Sequence, residues 1–169
     1  MEGQDTIGLP EGFSIREASE DDREYLLSCV MRSLTLSVDD DEGCVSDLWM
    51  DTILSVADRS MTSRRMGDET FIAMDRSGTY AGSLWLGRSV DQFTCDDTGY
   101  VLGIFVEPEL RGRGIGSALL AHAESWCREK GLPHISLNVS WHNENARKFY
   151  ESHGYGIRSE IRRKTLYPL

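Results

Sequence analysis

A stretch of the chain, residues 111–117, combines glycine and arginine in a way that is typical of an anion-binding loop. Glycines lack a Cβ atom, so phosphate oxygens can approach the backbone closely, and guanidinium groups supply positive charge. The residues concerned are Gly112, Gly114 and Gly116 together with Arg111 and Arg113. This composition predicts the binding of a pyrophosphate or a similar anion.

The same stretch opens a predicted helix. From Ile115 onward, apolar residues recur at helical spacing until Gly131 and Pro133 end the pattern. The first backbone N–H groups of a helix have no intrahelical partner, and the macrodipole adds partial positive charge there. An anion is therefore expected at this helix N-terminus. A tight turn that only joins a strand to a helix is the structural alternative.

A second group of residues lies on one face of a later helix. Asn143, Ala146 and Tyr150 are spaced i, i+3 and i+7, whereas Phe149 points toward the expected core. Each has an ordinary structural explanation, as an N-cap, a helix former or a buried aromatic. Their small and polar character indicates a binding face when they are considered together with the glycine loop.

Strands must hold these two helices in place. Val101 to Val106 is apolar on both faces, as in a central strand, and Pro108 stops it. His134 to Ser140 alternates apolar and polar residues, so a parallel pair with a right-handed crossover is predicted. Asn143 caps the next helix, which Gly154 ends.

The remaining predicted elements complete an α/β layout. They are a strand from Phe13, a helix capped at Ser19 and Asp22 and continuing through Leu34, an acidic block at Asp39 to Gly43, a helix from Val45 to Val56, strands at Thr70–Met74 and Tyr80–Leu86, and two closing strands at Tyr155–Ser159 and Arg163–Tyr167. The acidic block is predicted to be an exposed loop, with attraction of a cationic acceptor as the alternative.

Two ordered blocks of sequence resemble the GNAT superfamily of N-acetyltransferases. The first reads Val106-x-Pro108-x-x-Arg111-Gly112-x-Gly114-Ile115-Gly116-x-x-Leu119-Leu120, which is similar to the acetyl-coenzyme A signature of that superfamily. The second reads Leu137-x-Val139-x-x-x-Asn143-x-x-Ala146-x-x-Phe149-Tyr150-x-x-x-Gly154-Tyr155. The resemblance implies an α/β fold, classed as α+β in some schemes, with a mixed, mostly antiparallel sheet of six to seven strands and helices on both faces.

The resemblance also implies roles for individual residues. The pantetheine arm is expected along the backbone of Ile104, Phe105 and Val106, and the pyrophosphate on the loop Arg111, Gly112, Arg113, Gly114, Ile115, Gly116 and Ser117. Asn143 and Ala146 are expected at the arm or the acetyl end, and the Tyr150 hydroxyl near the sulfur.

The implied reaction is the attack of a neutral amine on the thioester of acetyl-CoA. A lysine-like amine, with a pKa near ~10.4, must lose a proton, and a leaving thiolate, near ~8.5, is helped by gaining one. Tyr150 is the expected general acid. Some relatives carry a base glutamate where this chain has Thr98 or Asn138, so Asp97 is the predicted base, followed by Glu107, His142 or ordered water.

Two other function classes are open to the sequence. A catalytically silent acetyl-CoA-binding regulatory protein would keep the loop without turnover. A nucleotide-binding module would bind nucleoside phosphates, although the Rossmann pattern needs a small residue at Ser117 or Leu119 and the phosphate loop needs a Gly-Lys-Ser/Thr sequence that is absent.

Composition sets the remaining expectations. Residues 1–12 contain glycine and proline with little periodicity, so we expect a loose leader there. The length of 169 residues and the 40% apolar content predict a single domain over 13–169. Four scattered cysteines and no apolar run of membrane length favour a cytoplasmic protein without a metal. The net charge of −10 disfavours nucleic acid and membrane partners and suits a cationic amine acceptor. The resemblance also admits a homodimer.

Overall fold

The computed structural model describes residues 8–36, 47–63, 67–164 and 166. In these residues one sheet has the strand order β1-β2-β3-β4-β5, with antiparallel neighbours except for the parallel pair of β4 and β5. The strands are β1 (Phe13–Glu17), β2 (Glu69–Asp75), β3 (Tyr80–Val90), β4 (Asp97–Val106) and β5 (Ile135–Leu137). The mixed, mostly antiparallel architecture is confirmed.

Four α-helices accompany the sheet: α1 (Arg23–Thr35), α2 (Asp47–Ser63), α3 (Ile115–Glu129) and α4 (Glu144–Ser152). The predicted capping residues form their bonds. A capping box joins Ser19 to Asp22 at a short 3-10 helix, Glu20–Asp22, that leads into α1, and the Asn143 side chain accepts from the Ala146 N–H at 3.1 Å at the start of α4. α3 starts after Gly114, and Gly131 follows it with a positive φ of 67°.

The two faces of the sheet carry different helices. α3 packs on one face, where a buried cluster joins the sheet residues Phe71, Ala73, Leu84, Leu86 and Val101 to the helix residues Leu119, Ala123 and Trp126. α1 packs on the other face, where the Arg32 guanidinium lies 4.3 Å from the centre of the Phe105 ring. Helices on both faces are therefore confirmed, and β4 is covered on both sides as its sequence predicts.

Several predicted strands differ in the structure. The sheet of the described residues has five strands rather than six or seven, because Tyr155–Ser159 is not a strand and neither are residues 163, 164 and 166. Ile157 and Ile161 are exposed, so this segment lacks the apolar face that a paired strand buries. The strand predicted over His134–Ser140 is limited to β5, while β3 and β4 are longer than predicted.

Four predicted regions lie partly or wholly outside the described residues. They are the first seven residues of the leader, the acidic block at 39–43, the first two residues of the helix predicted from Val45 to Val56, and part of the last closing strand.

A buried carboxylate ties the start of the chain to the sheet. Asp22 is 1% exposed and accepts two hydrogen bonds of 2.7 Å from the Arg16 guanidinium and one of 2.9 Å from the Tyr80 hydroxyl. Arg16 holds the pKa of this carboxyl well below its usual range. The Tyr80 ring in turn stacks on Tyr25 of α1 at 4.1 Å, so β1, α1 and β3 are fixed to one another.

Gly99 permits the close approach of β4 to α3. A Cβ atom on Gly99 would lie 2.2 Å from the Sγ atom of Cys127, which is buried. We therefore predict that Gly99→Ala lowers the free energy of unfolding by about 1–3 kcal/mol, because a well-packed contact must move apart. Urea unfolding followed by circular dichroism measures this loss.

Gly103→Ala is the matched control, since a Cβ atom at Gly103 of the same strand would meet no heavy atom within 4 Å. Equal destabilisation by the two substitutions would contradict the packing argument and point to a general cost of replacing strand glycines.

Candidate functional site

The site begins where β4 extends beyond its parallel neighbour. β4 and β5 pair through Gly99, Tyr100 and Val101, and the last pair is Val101 with Leu137. β4 then continues to Val106, still paired with β3 on its other edge. The edge of β4 from residue 102 to residue 106 is thus left open by β5.

The pairing with β3 shows which backbone groups lie on this open edge. The N–H of Glu107 donates to the Ala81 carbonyl of the β3 side at 3.0 Å. Successive residues of a strand direct their backbone groups to opposite edges, so those of Ile104 and Val106 are directed away from β3. In agreement, the Val106 carbonyl accepts from the Arg111 side chain at 3.1 Å. The backbone of Ile104 and Val106 can therefore pair with an extended ligand.

The glycine-rich loop lies directly after this strand. Gly112 and Gly114 have φ values of 74° and 84°, which explains glycine at both positions. No side chain caps α3 at Gly114, and its first turn contains no acidic residue. Since the first helical bond runs from the Ala118 N–H to the Gly114 carbonyl at 3.0 Å, the N–H groups of Ile115, Gly116 and Ser117 have no carbonyl within the helix. These features fit a bound pyrophosphate.

The two loop arginines point to different places. Arg111 lies by the open edge, with its guanidinium bonded to the Val106 carbonyl and 5.9 Å from the Phe105 ring. Arg113 lines a separate cleft of about 480 Å³ that it shares with Arg76 and Glu11 near the start of β1. The structure brings Arg111, but not the Arg113 side chain, to the end of β4.

α4 reaches the same point from the other side. A Cβ atom on Gly116 would lie 3.4 Å from the Phe149 ring and 3.7 Å from Val106, so α3, α4 and β4 converge there. Tyr150 follows Phe149, with 5.4 Å between the two ring centres. It is 9% exposed, and burial raises its pKa to about 12. Tyr150 is therefore protonated at neutral pH, and its hydroxyl is a hydrogen-bond donor.

A groove of about 1190 Å³ runs along β5 and α4. Tyr150 lines it, together with Leu137, Asn138 and residues 153–163 of the C-terminal segment. Arg147 stacks on Trp141 at 3.9 Å at the entrance to α4. The predicted residues Asn143 and Ala146 are joined by the capping bond, in which the Asn143 Oδ1 atom accepts from the Ala146 N–H and caps α4.

The three residues predicted as bases lie apart from one another. Asp97 is 62% exposed at the start of β4 and forms an ion pair with Arg88 at 3.0 Å. Glu107 accepts two bonds of 2.8 and 2.9 Å from Arg32, which lowers the pKa of its carboxyl. His142 lies 2.8 Å from the Ser140 hydroxyl and lines the groove.

His153 is a residue that the sequence did not single out. Its two ring nitrogens lie 2.7 Å from the Phe149 carbonyl oxygen and 2.9 Å from the Ser117 hydroxyl. It thereby joins the C-terminal end of α4 to the first turn of α3. Ser117 and His153 are 36 residues apart, so no helical or strand periodicity could have related them.

Neither a metal-binding cluster nor a membrane-spanning helix is found among the described residues. No group of three or more His, Cys, Asp or Glu side chains among them is arranged to hold a metal ion. No helix among them has the length and apolarity needed to cross a membrane.

Comparisons with known proteins identify the family of this chain. The family model of the acetyltransferase (GNAT) family matches residues 34–155. A mycothiol acetyltransferase of Propionibacterium freudenreichii is 25% identical over 156 residues, which are 88% of this chain. A putative acetyl transferase from Pyrococcus furiosus has a similar structure, with a TM-score of 0.74, 28% identity and coverage of 91% of this chain and 99% of its own.

A structure of a predicted acetyltransferase from Clostridium acetobutylicum with acetyl-CoA shares the fold, with a TM-score of 0.69, 21% identity and coverage of 91% of this chain and 96% of its own. The chain spans less than half the length of the mycothiol acetyltransferases it matches, 45% for the P. freudenreichii protein and 28% for one of Nocardiopsis dassonvillei.

Proposed function

We propose, because this chain belongs to the acetyltransferase (GNAT) family, that it transfers the acetyl group of acetyl-CoA to a primary amine by direct attack. The observation that carries the proposal is the convergence of three features at one point: the open edge of β4, the uncapped start of α3 and the buried Tyr150 of α4.

Each part of the coenzyme has a group of the protein that suits it. The backbone of Ile104 and Val106 on the open edge offers hydrogen bonds to the pantetheine arm, as an added strand would make. The N–H groups of Ile115 to Ser117 and the Arg111 guanidinium suit the negatively charged pyrophosphate. Acetyl-CoA supplies a thioester, whose carbonyl carbon is open to attack by a neutral amine.

Tyr150 is the general acid of the proposal. Its phenol keeps its proton at neutral pH because burial raises the pKa to about 12. Its O–H can donate a hydrogen bond to the sulfur as charge develops there while the C–S bond breaks, and the proton then passes to the thiolate. The phenolate regains a proton from water. The net charge of −10 favours the approach of a cationic amine as acceptor.

Tyr150→Phe tests this role. The variant keeps the buried ring and removes the donor, so we predict a fall in kcat of ~10²-fold or more with a KM for acetyl-CoA changed by less than about threefold. The assay measures thiol release from acetyl-CoA over a panel of primary amines, including small amines, polyamines and a peptide with a free N-terminus.

Tyr155→Phe is the matched control, because Tyr155 is a half-buried neighbour whose hydroxyl faces Glu124 at 3.5 Å. A kcat for Tyr150→Phe equal to that of the wild type would remove Tyr150 as the acid. Tight binding of coenzyme A without thiol release on any amine would instead favour the regulatory protein, and displacement of acetyl-CoA by ATP would favour the nucleotide-binding module.

We infer that the amine loses its proton to water rather than to Asp97, the base predicted from the sequence. Asp97 lies about seven residues before Ile104, or roughly 20 Å along a strand, and its carboxylate already pairs with Arg88. We predict that Asp97→Asn leaves kcat/KM within about threefold of the wild type across the amine panel. A fall of ~10²-fold, with an acid-side break in the pH profile that disappears in the variant, would make Asp97 the base.

A further inference from the structure

The contact between His153 and Ser117 joins two parts of the site. His153 is half-buried at the end of α4, and its Nε2 atom lies 2.9 Å from the Ser117 Oγ atom. Ser117 is in the first turn of α3, where the helix N-terminus is uncapped. The hydroxyl of Ser117 therefore lies between the imidazole and the place proposed for the pyrophosphate.

The hydrogen-bond partners of His153 determine where its proton lies when the ring is neutral. The Nδ1 atom lies 2.7 Å from the Phe149 carbonyl oxygen, which can only accept, so Nδ1 carries the proton. Nε2 is then an acceptor, and the bond at Ser117 must be donated by the serine. A serine hydroxyl has a single proton, so Ser117 cannot donate to a phosphate at the same time.

Protonation of the imidazole reverses the bond at Ser117. Nε2–H then donates to Oγ, which accepts it through a lone pair, and the Ser117 O–H becomes able to turn toward a phosphate oxygen. The imidazolium also adds a positive charge beside Ser117, which is in the first turn of α3. Both changes favour a bound anion.

We propose that His153 is a positioning residue for the coenzyme, which sets through Ser117 how tightly the pyrophosphate is held. This rests on the proposed function, since it takes the first turn of α3 as the pyrophosphate site. A histidine gains its positive charge as the pH falls, so we expect coenzyme affinity to increase from about pH 8 to pH 5.5. By linkage, a bound pyrophosphate favours the protonated ring equally.

Ser152 Oγ lies 3.2 Å from Nδ1 of His153 and donates to the same Phe149 carbonyl. The charged groups that line the groove together with His153 include Glu151 of α4, which is exposed, and Glu124 of α3, which pairs with Arg128 at 3.2 Å. Tyr150 and Tyr155 both have pKa values raised by burial and stay neutral over this range.

Calorimetric titration with dephospho-CoA tests the proposal. This ligand keeps the pyrophosphate and lacks the 3′-phosphate, whose own ionisation near neutral pH would mimic the effect. We expect the Kd of the wild type to fall by ~5-fold between about pH 8 and pH 5.5, in line with a neutral contact becoming a charge-assisted one. His153→Gln should show a Kd that is constant within about twofold.

Two further variants make the test specific. His134→Gln is the matched control, since His134 is an exposed histidine at the start of β5, and it should keep the full pH dependence of the wild type. Ser117→Ala removes the hydroxyl while the His153 imidazole can still be protonated. We therefore expect the change in binding free energy with pH to be at most half of that in the wild type.

The outcomes separate this inference from the proposed function. The role of His153 is overturned if dephospho-CoA binding has the same pH dependence in the wild type and in His153→Gln, or if it has no pH dependence in the wild type. Either result leaves the acetyltransferase proposal in place. If His153→Gln does not fold, an unchanged pH dependence in Ser117→Ala overturns it. Failure of the wild type to bind coenzyme A at any pH overturns the proposed function itself.

Discussion

The feature on which the site depends is the unequal pairing of β4. On one edge β4 is hydrogen-bonded to β3 as far as Val106, whereas on the other its pairing with β5 stops at Val101. Exposed backbone groups in the middle of a sheet are costly to leave unpaired, so they are retained where a ligand or water can satisfy them. In this fold the open edge lies next to the start of α3, where further N–H groups have no helical partner.

The rest of the structure holds β4 firmly enough for this edge to stay open. Gly82 lets β3 lie close to it, since a Cβ atom there would be 2.4 Å from the Phe105 carbonyl oxygen, and Gly99 does the same for α3. On the opposite face, Arg32 of α1 binds the Glu107 carboxylate with two bonds and covers the Phe105 ring. The end of β4 is thus fixed by both neighbouring layers before any ligand is present.

Much of this arrangement follows from local sequence. The apolar run before Pro108, the glycines at positive φ and the cap at Asn143 each have a local physical cause, and so the strand, loop and helices around the site were predictable. The length of β5 could not be predicted. Its alternating pattern continues past Leu137, whereas the strand ends where its pairing with β4 ends. The closing strand predicted at Tyr155–Ser159 does not form, and Ile157, its aliphatic residue, is 73% exposed and covers no apolar surface in the described structure.

The hydrogen-bond partners of the individual site residues could not be predicted from the sequence, for a different reason. Arg32 and Glu107 are 75 residues apart, and His153 and Ser117 are 36 apart, so these pairs exist only through the fold. A charged side chain can also form a structural ion pair instead of taking part in catalysis, as Glu107 does with Arg32. Residue type at a given spacing therefore indicated the anion site, which uses the backbone, better than it indicated the proton acceptor, which uses a side chain.

Amide hydrogen exchange at β4 tests the central claim most directly. NMR gives the exchange rate of each amide with and without saturating coenzyme A. With coenzyme A, the N–H groups of Ile104 and Val106 should exchange at least ~10-fold more slowly, whereas the exchange rate of the Phe105 N–H, which faces β3, should change little. Unchanged exchange at Ile104 and Val106 in a chain that is fully bound to coenzyme A would contradict the account, because the open edge of β4 would then not be where the ligand pairs.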